Sequence, residues 1–205
     1  MASIATDRLN SRDQLLRILY VEDNPQDARL CLRELKQAGF EPVADVVDTL
    51  EEFTEKLRSN LYDLVLADYG IPGWSGMSAL EVVQQEQREL PFILVTGALG
   101  EERAVESIKK GAADYILKDR LSRLPVAVRR ALADKVLREE KERAEAALRN
   151  SERRFRALVE NSADGFALVG PDGTYIYSSP ASNGVLGLHS AGTRRPKRVQ
   201  ADSFR

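Results

Sequence analysis

The sequence predicts an α/β fold in which helices cover both faces of a parallel β-sheet. From Arg17 to about Ala133, short apolar runs alternate with amphipathic stretches, the order in which strands and helices follow each other around such a sheet. Several of the runs are hydrophobic without interruption, which is typical of strands buried on both faces. These two observations favour a doubly wound, five-stranded domain in the first two thirds of the chain.

Five strands can be assigned from this pattern. They are residues 18–21, 42–47, 64–67, 92–96 and 115–117. The first, third and fourth are the most continuous apolar runs, so we expect them at the centre of the sheet. Between the strands apolar residues recur at helical spacing, beginning with Ala28, Cys31 and Leu35. The dipeptide Asn24-Pro25 marks the start of this first helix.

A long helix is predicted for residues 122–161, because strong helix formers continue there with no glycine and no proline after Pro125. Lys141 and Ser151 interrupt its apolar stripe, which makes a weak coiled-coil seam. The stripe consists of Leu137, Ala144, Leu148, Phe155 and Leu158. A parallel homodimer through this helix is one interpretation, and a solvated monomeric spacer is the other.

A second, smaller structure follows the helix. Two apolar runs flank a Pro171-Asp172-Gly173 turn, which predicts a β-hairpin. From Leu188 the sequence becomes basic and aperiodic, and we expect a disordered tail. A nucleic-acid-binding arm is disfavoured, because its five basic residues lack interleaved aromatic residues.

Composition excludes several classes of protein. The 205 residues carry 30 Lys+Arg and 32 Asp+Glu, a net charge of -2 that argues against a nucleic-acid-coating protein. No stretch approaches the ~20 apolar residues of a membrane-spanning helix, and the first residues lack the apolar core of a secretory signal. With Cys31 as the single cysteine, an internal disulfide is impossible. We therefore expect a cytoplasmic protein without a membrane partner.

Carboxylates follow two of the predicted central strands. Glu22 and Asp23 come directly after the first strand, and Asp68 ends the third. Because the carboxyl ends of parallel strands meet at one edge of the sheet, these side chains should repel each other unless a cation is present. Carboxylate oxygens suit Mg²⁺ better than zinc, for which the chain offers only Cys31 and the distant His189.

A hydroxyl and an ammonium join the same edge, because Thr96 ends the fourth strand and Lys118 follows the fifth. This set is suited to holding a phosphoryl group. Asp68 would be the attacking carboxylate, Lys118 would neutralise charge, and Thr96 would hydrogen-bond a phosphoryl oxygen.

These residues carry a family resemblance over residues 16–135. The motifs, in order, are Glu22-Asp23, Asp68 with Pro72 and Gly76 downstream, Thr96-Gly97, and Tyr115 three residues before Lys118. Together they strongly resemble the CheY-like receiver domain of two-component response regulators. The resemblance implies a flavodoxin-like fold with strand order 2-1-3-4-5.

The resemblance also implies a function. Asp68 would accept a phosphoryl group from a histidine kinase or histidine phosphotransfer protein, with self-catalysed transfer and slow autodephosphorylation rather than enzymatic turnover. Mg²⁺ would be held by Asp23, Asp68 and the backbone carbonyl of Gly70, with Glu22 acting directly or through water. On modification of Asp68, Thr96 would move toward the phosphoryl oxygens and vacate space for the Tyr115 ring, which makes these two the switch residues.

Two positions depart from the family pattern. Asp119 follows Lys118 where most receivers have a proline in a cis bond, so we expect altered geometry or strain in the loop before the last helix. Gly70 lacks the side chain usually found two residues after the phosphoacceptor, which would change the access of water to the phosphoryl group.

Residues from Ser151 onward resemble the start of a PAS sensor domain through Ser151-Glu152, Asp164-Gly165 and the hairpin turn. A complete PAS fold does not fit before the tail. The alternative is an unrelated hairpin packed on the helix. The predicted organisation is an N-terminal extension (1–15), a receiver domain (16–135), a helical linker (136–150), a partial PAS-like segment (151–187) and the tail (188–205).

Other functions remain as alternatives. A receiver-like interaction module that is never phosphorylated is one, but it would have no physical reason to assemble the full pocket. An aspartate-nucleophile phosphatase usually needs a second acid two residues after the nucleophile, where this chain has Gly70. A histidine kinase is disfavoured, because His189 lies in the tail and no Gly-rich nucleotide-binding segment occurs.

Overall fold

A computed structural model describes residues 14–97, 101–160, 167–171 and 175–178. The chain divides into two compact units, Met1–Glu140 and Lys141–Arg205. The strands of the first unit are, in chain order, β1 (Gln14–Val21), β2 (Phe40–Val47), β3 (Leu64–Asp68), β4 (Gly70–Ile71), β5 (Trp74–Ser75), β6 (Phe92–Thr96) and β7 (Asp114–Leu117). The helices are α1 (Pro25–Gln37), α2 (Leu50–Ser59), α3 (Gly76–Gln85), α4 (Glu101–Lys109), a 3₁₀ helix (Lys118–Arg123) and α5 (Leu124–Glu160).

Five of these strands form one parallel sheet in the order β2-β1-β3-β6-β7. The predicted order is confirmed once β4 and β5, which pair only with each other, are set apart. Because the order reverses between β1 and β3, the loops that follow these two strands diverge and leave a crevice at their carboxyl ends. The predicted functional residues belong to this edge of the sheet.

The core lies on both faces of the sheet, as alternating residues of β1 show. Ile18 and Tyr20 pack into a cluster with α1 and the beginning of α5. Leu19 and Val21 pack into a second cluster with α2 and α3. All four side chains are fully buried, so residues 18–21 of the strand are apolar at every position and show no period of two.

The predicted long helix agrees with α5, one α-helix of 37 residues. It begins two residues later than expected, because residues 118–123 form the 3₁₀ helix. Beyond its first turns α5 exposes large apolar side chains, namely Val136, Leu137, Leu148, Phe155 and Leu158. None of the helices within the described ranges is long and apolar enough to cross a membrane.

The second unit contains an antiparallel hairpin of β8 (Ala167–Val169) and β9 (Tyr175–Ser178). The hairpin prediction is thereby confirmed for the two strands. Its turn at 172–173, most of the predicted N-terminal extension and the predicted tail lie outside the described residues.

Candidate functional site

Three carboxylates meet where β1 and β3 end. One oxygen from each of Glu22, Asp23 and Asp68 lies within 4.8 Å of the others. Glu22 and Asp68 are buried and Asp23 is exposed. The backbone N–H of Glu22 donates to the carbonyl of Val47 at 3.0 Å, which continues the pairing of β1 with β2 and fixes where the acidic pair stands. The structure therefore brings together the three acids that the sequence predicted.

Lys118 is the cation of this cluster. Its Nζ lies 2.7 Å from Oδ2 of Asp68 and 2.9 Å from Oε2 of Glu22. The same Nζ lies 2.7 Å from Oδ2 of Asp27, on α1. An ammonium has three N–H donors, so these three carboxylates match its hydrogen-bonding capacity.

Asp27 was not among the residues predicted for the site. The α1 helix starts directly after the acidic pair, because the side chain of Asn24 accepts from the N–H of Gln26 at 3.0 Å and Pro25 occupies the first helical position. This early start places Asp27 in the first turn, beside the site. Acidic residues are common in the first turn of a helix, because they interact favourably with the helix dipole. Nothing in the sequence therefore indicated that Asp27 contacts Lys118, which lies 91 positions away.

Burial and the ion pairs set the charges of the site. Burial raises the pKa of Glu22, against the hydrogen bonds from Lys118 and the N–H of Asn24, which lower it. Burial also works to lower the pKa of Lys118, but its hydrogen bonds to Asp27, Asp68 and Glu22 raise that pKa above its usual value. The ammonium therefore stays charged, and the acids around it outnumber it.

Two neutral groups lie beneath the cluster. The hydroxyl of Tyr20 donates to Sγ of Cys31 at 3.1 Å and lies 3.5 Å from Oε2 of Glu22. Burial raises the pKa of Cys31 to about 11 and that of Tyr20 still further above its ordinary value. Both groups are uncharged at neutral pH, so Tyr20 and Cys31 add no charge to the site.

The remaining predicted residues flank the cluster. Thr96 is buried at the end of β6, the strand beside β3. Tyr115 is half-buried on β7 and packs against the core on the α2 and α3 face. The N–H of Gly70 donates to Oδ1 of Asp68 at 3.2 Å. The bond between Lys118 and Asp119 is trans, since the described residues contain no cis peptide.

The β4–β5 hairpin, which the sequence did not predict, begins two residues after Asp68. The indole N–H of Trp74 donates to the carbonyl of Asp48 at 2.7 Å, and its ring packs against Phe53 with centroids 6.2 Å apart. These contacts tie the segment after the buried strand β3 to the start of α2. The hairpin therefore holds the residues after Asp68 in place.

Gly76 is required for close packing behind Asp68. A Cβ at this position would overlap the backbone carbonyl oxygen of Asp68 and lie 2.9 Å from Cδ2 of Leu94. We expect Gly76→Ala to lower the free energy of unfolding by about 1–3 kcal/mol, since backbone and core must move to admit the methyl group. Gly70→Ala is the matched control, because a Cβ there meets nothing within 4 Å. Urea unfolding of both variants tests this, and equal costs would contradict it.

Comparisons with known proteins agree with this geometry. A family model described as the response regulator receiver domain matches residues 18–129. The phosphate regulon transcriptional regulatory protein PhoB of Klebsiella pneumoniae is 33% identical over 104 residues, 50% of this chain and 44% of PhoB. The response regulator protein FleR of Pseudomonas aeruginosa is 33% identical over 102 residues, 50% of this chain and 21% of FleR. The chain thus spans less than half the length of these relatives.

Solved structures show the same fold. The signal receiver domain of a Luxo repressor protein from Vibrio parahaemolyticus superposes with a TM-score of 0.56 at 26% identity, covering 62% of this chain and 97% of that chain. A response regulator receiver domain protein from Clostridium thermocellum gives 0.51 at 27% identity, covering 60% and 98%. Because the family model matches more than half of the chain, this protein belongs to the response regulator receiver domain family, which serves phosphorelay signal transduction in two-component systems.

Proposed function

We propose that Asp68 accepts a phosphoryl group from the phosphohistidine of a histidine kinase or histidine phosphotransfer protein. The observation that carries this proposal is the contact of Asp68 with Lys118 at the acidic end of the sheet. A carboxylate oxygen of Asp68 would attack phosphorus as the P–N bond to the imidazole breaks. The new P–O bond makes an acyl phosphate. The histidine ring, protonated on its other nitrogen before the transfer, keeps the electron pair of the P–N bond and leaves as neutral imidazole.

The residues around Asp68 have distinct parts in this transfer. Lys118 would neutralise charge on the phosphoryl oxygens, and Thr96, at the end of the neighbouring strand, would hydrogen-bond one of them. The hydrogen bond from the N–H of Gly70 to Oδ1 of Asp68 orients the carboxylate, leaving its other oxygen on Lys118.

The donor set fits Mg²⁺. Glu22, Asp23 and Asp68 offer carboxylate oxygens within 4.8 Å of one another, and the predicted fourth ligand is the backbone carbonyl of Gly70. Exposure of Asp23 beside the buried Glu22 leaves that side of the cluster open to water, which Mg²⁺ usually retains as ligands. When bound, the ion would neutralise charge that develops on the transferred group.

The switch would run through Thr96 and Tyr115. Thr96 ends β6 beside Leu117 of β7, and Tyr115 lies two residues earlier on β7. A shift of the hydroxyl toward a phosphoryl group would leave room for the partly exposed ring to turn inward. This changes the surface of β7, as a shift between two packings of the same residues.

A phosphate-affinity gel with a small phosphodonor tests the proposed chemistry. We expect a retarded band that needs Mg²⁺, is lost in excess chelator, and is removed by hydroxylamine, which cleaves acyl phosphates. Absence of the band at every Mg²⁺ concentration would overturn the proposal and favour the interaction module that is never phosphorylated. Nucleic acid is not among the partners that we propose.

We also propose that α5 forms a parallel homodimer and that the hairpin after it begins a PAS-like segment. The exposed apolar side chains of α5 support the first part, and the β8–β9 pairing supports the second. Sedimentation of the chain at tens of micromolar, with and without a beryllofluoride phosphoryl mimic, tests the dimer. We expect association in at least one state, and a monomer in both would contradict it.

A further inference from the structure

Asp27 contacts Lys118 as closely as Asp68 does. Both carboxylates lie 2.7 Å from Nζ, and each accepts a hydrogen bond from it. The side chain of Asp27 is only 29% exposed and that of Lys118 19% exposed. The contact therefore lies within the site, where charges are screened less than at a free surface.

The two acids belong to different elements. Asp68 ends β3, whereas Asp27 is held by the capped first turn of α1. A phosphoryl group on Asp68 would occupy the carboxylate that now faces Lys118, but it would leave Asp27 in place. The ammonium would then face two acceptors, the phosphoryl oxygens and the Asp27 carboxylate.

We propose that Asp27 is a positioning residue, which holds the ammonium of Lys118 in the site and competes with the phosphoryl group for it. The inference rests on the proposed function of Asp68. It implies that Asp27 has opposite effects on the affinity for Mg²⁺ and on the affinity for an anion at Asp68. The charge of Asp27 favours the binding of Mg²⁺, but it draws Lys118 away from an anion on Asp68 and weakens the binding of that anion.

These opposite effects on cation and anion binding are not expected of an acid that only stabilises α1. A charge that acts on the helix dipole alters the stability of the fold. It would not move the affinities for a cation and an anion in opposite directions. Glu34 offers the comparison, because it is an acid on the same helix, about two turns further from the site.

The test uses the full chain with Asp27→Asn and, as matched control, Glu34→Gln. Trp74, the single tryptophan, lies six residues after Asp68 and reports binding by its fluorescence. Mg²⁺ is titrated alone, and trifluoroberyllate is then titrated at saturating Mg²⁺. We expect Asp27→Asn to weaken Mg²⁺ binding by about three- to tenfold, since one negative charge is removed near the ion. Trifluoroberyllate binding should tighten by a similar factor, because Asp27 no longer competes with the anion for the ammonium of Lys118. Glu34→Gln should move neither affinity.

A double-mutant cycle separates an effect through Lys118 from one through space. In a Lys118→Met background, Asp27→Asn should change trifluoroberyllate affinity by less than about twofold, because the ammonium for which Asp27 competes is gone. An unchanged anion affinity in Asp27→Asn, or an equal gain in both backgrounds, would overturn the inference. Asp27→Ser, like Asp27→Asn, should weaken Mg²⁺ binding and tighten trifluoroberyllate binding. If wild type itself fails to bind trifluoroberyllate, the proposed function fails, and this inference fails with it.

Discussion

Replacing Asp68 with Asn is expected to reduce labelling by a small phosphodonor on the order of a hundredfold or more, because the chain loses the nucleophile that forms the acyl phosphate. An amide has nearly the shape of the carboxylate, and its single oxygen can still accept from the ammonium of Lys118, which also keeps Glu22 and Asp27. Only the hydrogen bond from the N–H of Gly70 is then lost. The loss should therefore come from chemistry and not from unfolding. Phosphate-affinity gels and mass spectrometry of the labelled chain measure it.

Asp23→Asn is the matched control for this experiment. It removes one carboxylate of the same cluster, but from the exposed position that the proposal assigns to the metal. We expect this variant to need more Mg²⁺ and still to carry its label on Asp68 when Mg²⁺ is saturating. Undiminished labelling of Asp68→Asn would show that another residue accepts the phosphoryl group.

Sequence patterns predicted the central sheet because its three middle strands each contain an unbroken apolar run. The wholly buried strands β3 and β6 differ from their predicted ranges by at most one residue. The β4–β5 hairpin was missed, since two-residue strands leave no periodicity to detect. β1 begins at Gln14, four residues before its unbroken apolar run, because β2 pairs with it along its whole length.

The site was predictable as far as it depends on strand ends. Glu22, Asp68 and Lys118 follow or end strands of the parallel sheet, and the topology brings those ends to one edge. Asp27 could not be predicted in the same way. Its place in the site depends on how α1 is oriented, and no strand end marks it. The hydrogen bond from the N–H of Gly70 to Asp68 was not predicted either, and the backbone carbonyl of Gly70 as a metal ligand stays a prediction.

Lys118→Met should destabilise the Mg²⁺-free protein by about 2–4 kcal/mol at neutral pH, because it leaves the buried Glu22 and Asp68 without their cation. Asp27 also loses its cation in this variant, but its side chain is partly exposed to water. The loss of stability is therefore smaller than it would be if all three acids were wholly buried. Saturating Mg²⁺ should restore much of the loss, and the variant should bind Mg²⁺ more tightly than wild type, since the competing ammonium is absent. Arg58→Met is the control, because its ion pair with Glu86 is at the surface, and we expect little change and no rescue by Mg²⁺.

The loss of stability in Lys118→Met should grow as the pH rises. Burial already raises the pKa of Glu22 in the folded protein, and Lys118 is the group that most opposes the rise. Without Lys118 the pKa rises further, so the folded variant binds a proton that the unfolded chain has released. Its stability is therefore greatest below the ordinary pKa of Glu, about 4.3, and falls as the pH rises through the folded pKa of Glu22. Urea unfolding at pH 5 and pH 7.5, with and without Mg²⁺, measures this. A variant that equals wild type at pH 7.5 without Mg²⁺, or gains nothing at pH 5, would contradict the role of Lys118 as the cation that keeps Glu22 ionised.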